Sequence, residues 1–417
     1  MFYKLEQMCY NGGEKGERGM ERTIFHCDLN CFYASVELLF HPELRHLPVA
    51  VCGDPAIRHG IVLAKNEVAK RRGVKSAEAI WQARRKCPEL VTLPAHHDLY
   101  WEYSQRVNAI YADYTDLIEP FGIDESWLDV TGTLHLFGGD DKALADRIRA
   151  RVREELGLTI SVGVSYNKAL AKLGSDYKKP DATTVIRPED LERMVWPLPL
   201  GDLLFAGRAA ERELSRYGVK TIGDLARFDR GAIERLLGRS GLLLHDYANG
   251  RDPSRVHPAG EYVPPKSVSR GRTFPEDIAG ERAVRSAVTA LADDVACRLR
   301  RHALRCTTVQ VRIRNPQFHD VLHQKHMSAP SFLADEIARC AMELIRAGWD
   351  LTAPVRAITV SASGLVPEQS GNEQLDLFAD GEAQRRRRRE TLAHTVDALR
   401  GAFGDGIVRP ASSIRIK

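Results

Sequence analysis

No apolar run among the 417 residues is long enough to cross a bilayer as a helix, so a helical membrane protein is not expected. No CxxC pair occurs either. The eight cysteines are scattered at 9, 27, 31, 52, 87, 297, 306 and 340, which argues against a zinc site and against a disulfide framework in a chain of this length. The first 21 residues, "MFYKLEQMCYNGGEKGERGME", lack the apolar core of a secretory signal. Their glycines and mixed charges read as a disordered leader, with Met20 as a natural start. The expectation is a reduced, cytoplasmic protein. Net charge is also small, +4, but uneven: from Glu261 onward 24 Lys/Arg face 19 Asp/Glu, so the whole excess sits in the C-terminal third. That is a modest sign of a polyanionic partner there.

What is present is ordinary globular composition, 43% hydrophobic and 28% charged, with length for about three domains. Periodicity predicts strands at 23–29, 117–121, 126–131 and 159–166. Helices are expected at 63–72, 76–87, 100–116, 145–157 and 167–177, giving a small split βαβ sheet with 38–96 inserted after its first strand and helix. Residues 187–251 turn to short helices, and "FAGRAAERELSRYGVKTIGDLARF" (205–228) reads as a helix-hairpin-helix. The proline-rich loop at 257–267 is a linker. Beyond it, strands at 266–273, 307–314, 319–327 and 355–363 with helices near 280–303 and 331–347 predict a four-stranded sheet carrying two helices. The fold class is therefore α+β and multi-domain. "TTVQVRIR" alternates so that Gln310, Arg312 and Arg314 share one face, and that face is expected to be basic.

Asp28 ends one apolar strand, and Asp124 and Glu125 interrupt another, "FGIDESWLDV" (121–130). Ionised carboxylates in such runs are costly unless cations meet them. Three at neighbouring strand ends suit two Mg²⁺ ions, which take few protein oxygens and complete their shells with water and phosphate. An isolated Asp-Glu pair would more often cap a hairpin. Adjacent strand residues point to opposite faces, so convergence requires a backbone turn, for which Gly122 is the candidate.

The joint pattern decides the matter. "HCDLNCFYASVE" (26–37), "FGIDESWLDVT" (121–131) and "SVGVSYNKALAKLGSDYKKP" (161–180) closely resemble the Y-family DNA polymerases, in the DinB (DNA polymerase IV) branch of translesion enzymes. The resemblance runs from about residue 22 to the C-terminus. It implies a right hand: palm at 22–31 and 97–186, fingers at 32–96, helix-hairpin-helix thumb at 187–256, linker at 257–265 and little finger at 266–417. It implies template-directed primer extension by two-metal phosphoryl transfer without a proofreading exonuclease. Asp28, Asp124, Glu125 and the Leu29 carbonyl would be the metal ligands, and the first three the catalytic residues. Tyr33 matches the steric gate against ribonucleotides. The amides of Cys31, Phe32 and Tyr33 would cradle the triphosphate. Lys179 matches the palm lysine that meets the triphosphate, with Asp176 orienting it.

The fingers depart from the common Asn-Tyr-x-Ala-Arg pattern: this chain reads Asn66, Glu67, Val68, Ala69, Lys70. Lys70 can donate to phosphate as a point charge, Lys65 is a candidate compensating ligand, and Glu67 would repel a triphosphate unless a lysine turns it away. Arg270, Arg272, Arg312 and Arg314 are the expected DNA contacts. "EQLDLFAD" (373–380) resembles a sliding-clamp peptide, with Gln374, Leu375, Leu377 and Phe378 as its anchors. In the final helix, 382–403, Leu392, Val396 and Leu399 form an apolar face. Arg385–Arg389 are either solvated or on DNA. Primer-template DNA, deoxynucleoside triphosphates and the clamp are the implied partners of a monomer. The rival, an inactive accessory protein binding DNA and clamp, is opposed by retention of all three carboxylates together with Tyr33 and Lys179.

Overall fold

The computed structural model describes residues 22–54, 60–261, 264–370, 380–404 and 407–408, and the chain divides into two compact units separated in sequence at Glu261/Tyr262. The first unit begins with β1 (Ile24–Leu29), buried along its whole length, followed at once by α1 (Phe32–Phe40). Next come β2 (Val49–Cys52), β3 (Val62–Lys65), α2 (Glu67–Arg71), α3 (Ile80–Lys86) and β4 (Val91–Pro94). β2 lies between antiparallel β3 and parallel β4, a three-stranded sheet that the sequence pattern did not anticipate. Two helix expectations are corrected here. Residues 63–72 are not one helix: Val62–Lys65 pair with β2, and α2 starts only after Asn66, whose Oδ1 accepts from the Ala69 amide at 2.9 Å. The helix expected from 76 begins at Ile80, because Ala77 sits at φ 66°, outside helical space.

The chain continues through α4 (His97–Ala112), β5 (Ile118–Pro120), β6 (Glu125–Asp129), α5 (Asp141–Leu156), β7 (Ile160–Ser165), α6 (Lys168–Tyr177) and β8 (Thr183–Val185). The resulting sheet has the order β5-β6-β1-β7-β8 and is antiparallel except at β7–β8. Side-chain caps start both later helices: Asp140 accepts from Ala143 N, and Asn167 from Leu170 N, each at 2.9 Å.

Alternation along β1 separates structure from chemistry. Phe25, Cys27 and Leu29 enter the core shared with α4 and α5, whereas Ile24, His26 and Asp28 face α6. α6 can lie this close because of Gly163 on β7. A Cβ there would stand 1.9 Å from the Ala171 carbonyl oxygen and 2.4 Å from the Ser175 nitrogen. The unit closes with α7 (Arg208–Ser215), α8 (Ile222–Arg227) and α9 (Arg230–Ala248). α7 and α8 fall within the stretch read as a helix-hairpin-helix, joined through Gly218 at φ 81° and a capping box at Thr221.

The second unit comprises β9 (Ser267–Ile278), α10 (Glu281–Arg301), β10 (Leu304–Arg314), β11 (Asp320–Ser331), α11 (Ala334–Gly348), β12 (Val355–Pro367) and α12 (Asp380–Phe403). Its four-stranded antiparallel sheet has the order β11-β10-β12-β9. Val309, Val311, Ile313, Ile358 and Val360 pack against Val288, Val295, Ile337 and Ala341 of α10 and α11.

On the apolar face of α12, Leu392 and Leu399 stay 61% and 40% exposed. The helix is held by charge instead, through Arg300–Asp397, Arg305–Glu390 and Arg400–Asp293 at 2.6–2.7 Å, and by Arg389 on Glu336 at 3.2 Å. Within the run 385–389, Arg386 and Arg389 turn inward, while Arg385, Arg387 and Arg388 are exposed. Among the described residues, no helix is long and apolar enough to cross a membrane.

Candidate active site

Register brings the acids together. Asp28 on β1 is the cross-strand partner of Glu125 on β6, so both side chains share the α6 face. Asp124 precedes β6 in a bend: its carbonyl accepts from Leu29 N at 2.9 Å, and Phe121 N donates to Glu125 O at 2.8 Å. Lying outside the ladder, Asp124 escapes strict alternation and folds over the end of β1. Gly122 is not the reason. It needs no positive φ, and a Cβ there would meet Asp124 Oδ1 at an ordinary 3.4 Å.

The carboxylates do not form a closed cage: among the described residues no three acidic, imidazole or thiol groups are arranged as a ready metal site. An ammonium stands among them instead. Lys172 Nζ lies 3.0 Å from Asp28 Oδ2, 3.1 Å from Glu125 Oε1 and 3.1 Å from Asp176 Oδ2. Lys179 Nζ adds contacts at 2.6 Å to Asp28 and 2.8 Å to Asp176. Lys172 and Asp176 stand four residues apart on α6 and Lys179 lies just past its end, so the Lys172–Asp176 pair was legible in the sequence, although Lys172 was not among the expected site residues. Burial, and then the charges of Glu125 and Asp28, push the Asp124 carboxyl up to about 6. Burial would raise Glu125 as well, but the Lys172 ammonium at 3.1 Å outweighs it and holds this carboxyl below its usual range.

His26, fully buried, was also missed. Its Nδ1 lies 2.8 Å from Ser175 Oγ, whose hydroxyl donates to Lys172 O; the proton between imidazole and hydroxyl therefore sits on Nδ1. Nε2 then faces Glu125 Oε2 at 3.4 Å, and neither atom has a well-formed hydrogen bond. Three hard oxygen donors at one strand end, one with an orphaned buried oxygen, in a pocket already drawing two ammonium groups, fit divalent cations.

Tyr33 lies in the first turn of α1. Burial, then the Asp124 charge, raises its phenol. That ring stacks on Tyr100 at 4.1 Å and 13°, and Tyr100 donates to the buried Glu37, which also meets His96 Nδ1 at 2.9 Å. Cys31 starts α1 at φ 51° with no side-chain cap. In the fingers segment, Lys70 Nζ is 3.3 Å from Glu67 Oε1, and Lys65 donates to Ser76 Oγ at 3.1 Å.

Register divides the four expected DNA-contacting arginines. Arg312 and Arg314 oppose Thr359 and Ala357 on the open sheet face, Arg314 being tied to Asp320 at 2.7 Å. Arg270 and Arg272 oppose Val360 and Ile358, on the helix-covered face, and Arg270 pairs with Asp294 of α10 at 3.1 Å. The open face is thus hydroxyl-rich, with Ser269, Thr359 and Ser361 in register beside Gln310 and Arg312, and less basic than expected. Parity with buried Val268 and Phe274 was the available signal. Gln374, Leu375, Leu377 and Phe378 lie outside the described residues.

The solved structure of a Y-family DNA polymerase chimera of Dbh and Dpo4 matches with a TM-score of 0.72 at 22% identity, over 83% of this chain and 99% of its own. The fold is therefore that of a Y-family DNA polymerase. Residues 27–176 match the impB/mucB/samB family and residues 265–377 that family's C-terminal domain. The DNA polymerase IV of Acetivibrio thermocellus is 45% identical over 390 residues, 94% of this chain and 97% of the relative. That of Bacillus velezensis is 36% identical over 397 residues, 95% and 94%. The chain belongs to the impB/mucB/samB family of Y-family DNA polymerases.

Proposed function

We infer that this chain is a DNA-directed DNA polymerase of the translesion type, adding deoxynucleotides to a primer end by phosphoryl transfer. The observation that carries the reading is the cross-strand pair Asp28–Glu125, with Asp124 bonded through its carbonyl to Leu29 at the same strand end and Tyr33 in the helical turn that follows, in a chain of this family.

Asp28, Asp124, Glu125 and the Leu29 carbonyl would hold two Mg²⁺ ions. Such ions, when bound, lower the pKa of a primer 3′-hydroxyl and neutralise a triphosphate and its departing pyrophosphate. The chain's own groups do the rest. Amides of Cys31, Phe32 and Tyr33 cradle the triphosphate at the start of α1. Lys179 turns from Asp28 to a phosphate oxygen, with Asp176 keeping it in reach. The Tyr33 ring, backed by Tyr100, leaves no room for a 2′-hydroxyl. Arg312 and Arg314, with the hydroxyls beside them, meet the DNA backbone. Gln374, Leu375, Leu377 and Phe378 form the clamp peptide of a cytoplasmic monomer.

Primer extension in Mg²⁺ is the test. The wild-type chain extends and Asp124→Ala does not; extension surviving that change removes the carboxylate assignment. Tyr33→Ala admits ribonucleotides, and unchanged sugar discrimination removes its role.

A further inference from the structure

We propose that Glu67 is an internal anion occupying the entrance of the triphosphate cradle in the nucleotide-free protein, and that it sets the nucleotide KM by making the incoming triphosphate compete for Lys70. The inference rests on the polymerase reading and concerns the residue at which this chain departs from the family's fingers pattern.

α1 starts electrostatically unfinished. Cys31 supplies no side-chain cap, no acid stands in the first turn, and the amides of Phe32, Tyr33 and Ala34 have no acceptor within the helix. Such a terminus favours an anion. The anion that comes to it belongs to a different helix: Glu67 of α2 accepts from the Cys31 thiol at 3.4 Å through Oε1. Burial, and then the Glu67 charge, lift the Cys31 thiol to about 11, so it stays protonated and remains a donor to the carboxylate. The same Oε1 takes Lys70 Nζ at 3.3 Å. One oxygen therefore joins the residue on which the cradle is built to the cation expected to serve the triphosphate.

The arrangement is held in place from behind. Asn66 bonds Val49 N, Leu47 O and Ala69 N, which pins the start of α2 to the neighbouring strand and sets where Glu67 projects. Lys65 is engaged with the neutral Ser76 hydroxyl and leaves Glu67 to Lys70. The Glu67 side chain is 30% exposed and its partners are one thiol and one flexible ammonium, so an entering triphosphate can displace it. The ammonium passes from carboxylate to phosphate, and the carboxylate must swing away. That is a cost charged to ground-state nucleotide binding, and it is independent of the chemistry at Asp28, Asp124 and Glu125.

The test is single-nucleotide primer extension with wild type, Glu67→Gln and Lys70→Met, paired with calorimetric binding of inorganic tripolyphosphate to the same proteins without DNA. Glu67→Gln keeps the shape and the thiol acceptor but removes the charge. It is expected to lower the nucleotide KM about five- to tenfold with kcat within twofold, the signature of changed ground-state binding, and to tighten tripolyphosphate by a similar factor. Lys70→Met is expected to weaken both. A KM for Glu67→Gln that is unchanged or raised overturns the proposal, because the carboxylate would then be a support for Lys70. Should the wild-type chain extend no primer, the polymerase reading fails instead, and the tripolyphosphate comparison still decides the role of Glu67.

Discussion

Replacing Lys172 by Met keeps the aliphatic stem and removes the one ammonium among the described residues that lies within 3.1 Å of Asp28, Glu125 and Asp176 together. Lys179 stays on Asp28 and Asp176, so the charges left without a cation are chiefly Glu125 and its neighbour Asp124. Stripping one partner from a buried pair costs about 3–5 kcal/mol, and the retained Lys179 puts this case near the lower figure. For a unit of this size about 3 kcal/mol lowers Tm by roughly 6–12 °C. Divalent cations should repair the loss, since a ligand at a hundred times its Kd returns about 2.7 kcal/mol. In the wild type the same cation has to displace Lys172 and gains less. Thermal melts of both proteins in EDTA and in Mg²⁺ therefore have a defined outcome: a large deficit for Lys172→Met in EDTA that mostly closes in Mg²⁺. A deficit of equal size in both buffers, or none in EDTA, would show that Lys172 is not the resident counter-charge of the acids.

Asp124→Asn tests the crowding of those acids by pH. The folded-state pKa of Asp124, about 6, lies above the ordinary carboxylate value of 3.8, so its favourable contribution is complete below about pH 4 and lost as pH rises through 6. In EDTA, wild type should lose on the order of 1–2 kcal/mol relative to Asp124→Asn across that window, allowing for solvent screening; parallel urea-melt profiles contradict it. Gly163→Ala puts a methyl 1.9 Å from the Ala171 oxygen, so α6 must lift from β7. About 3 kcal/mol or more of stability should go, with the Lys172 contacts, and a melt within 1 °C of wild type, on the order of a few tenths of a kcal/mol, would refute the packing argument. Arg312→Gln should weaken DNA binding several-fold and lower the salt slope by about one, whereas Arg270→Gln, on the helix-covered face, should leave both near wild type. Equal effects in filter binding would mean that the sheet face does not select between them.

Much was legible because it is local. The alternation of "IFHCDL" gives β1 its two faces, "FGIDESWLDV" marks a strand interrupted by acids, and "TTVQVRIR" separates core from surface. Helix starts at Asn167 and Thr221 carry their own capping chemistry. The errors have a common cause. "LAKNEVAKRR" has helical composition throughout, yet its first part pairs with β2 because an adjacent strand was waiting for it. Arg270 and Arg272 are exposed surface charges, but parity with Val268 and Phe274 puts them on the α10 side at the sheet edge and off the open face. Leu392 and Leu399 stay exposed on the apolar face of α12, because acids and arginines of two other helices decide which side of it docks.

The residue types and their order by themselves determined the class of chemistry, because each motif is a short stretch whose strand or helix period sets what it can present. Tertiary structure decided which charges meet. Lys172 reaches Asp28 across 144 residues only because Gly163 lets α6 sink onto β7, and Glu67 reaches Cys31 only because α2 is pinned by Asn66. Coulomb energies depend on distances in space, and no spacing along the chain encodes them.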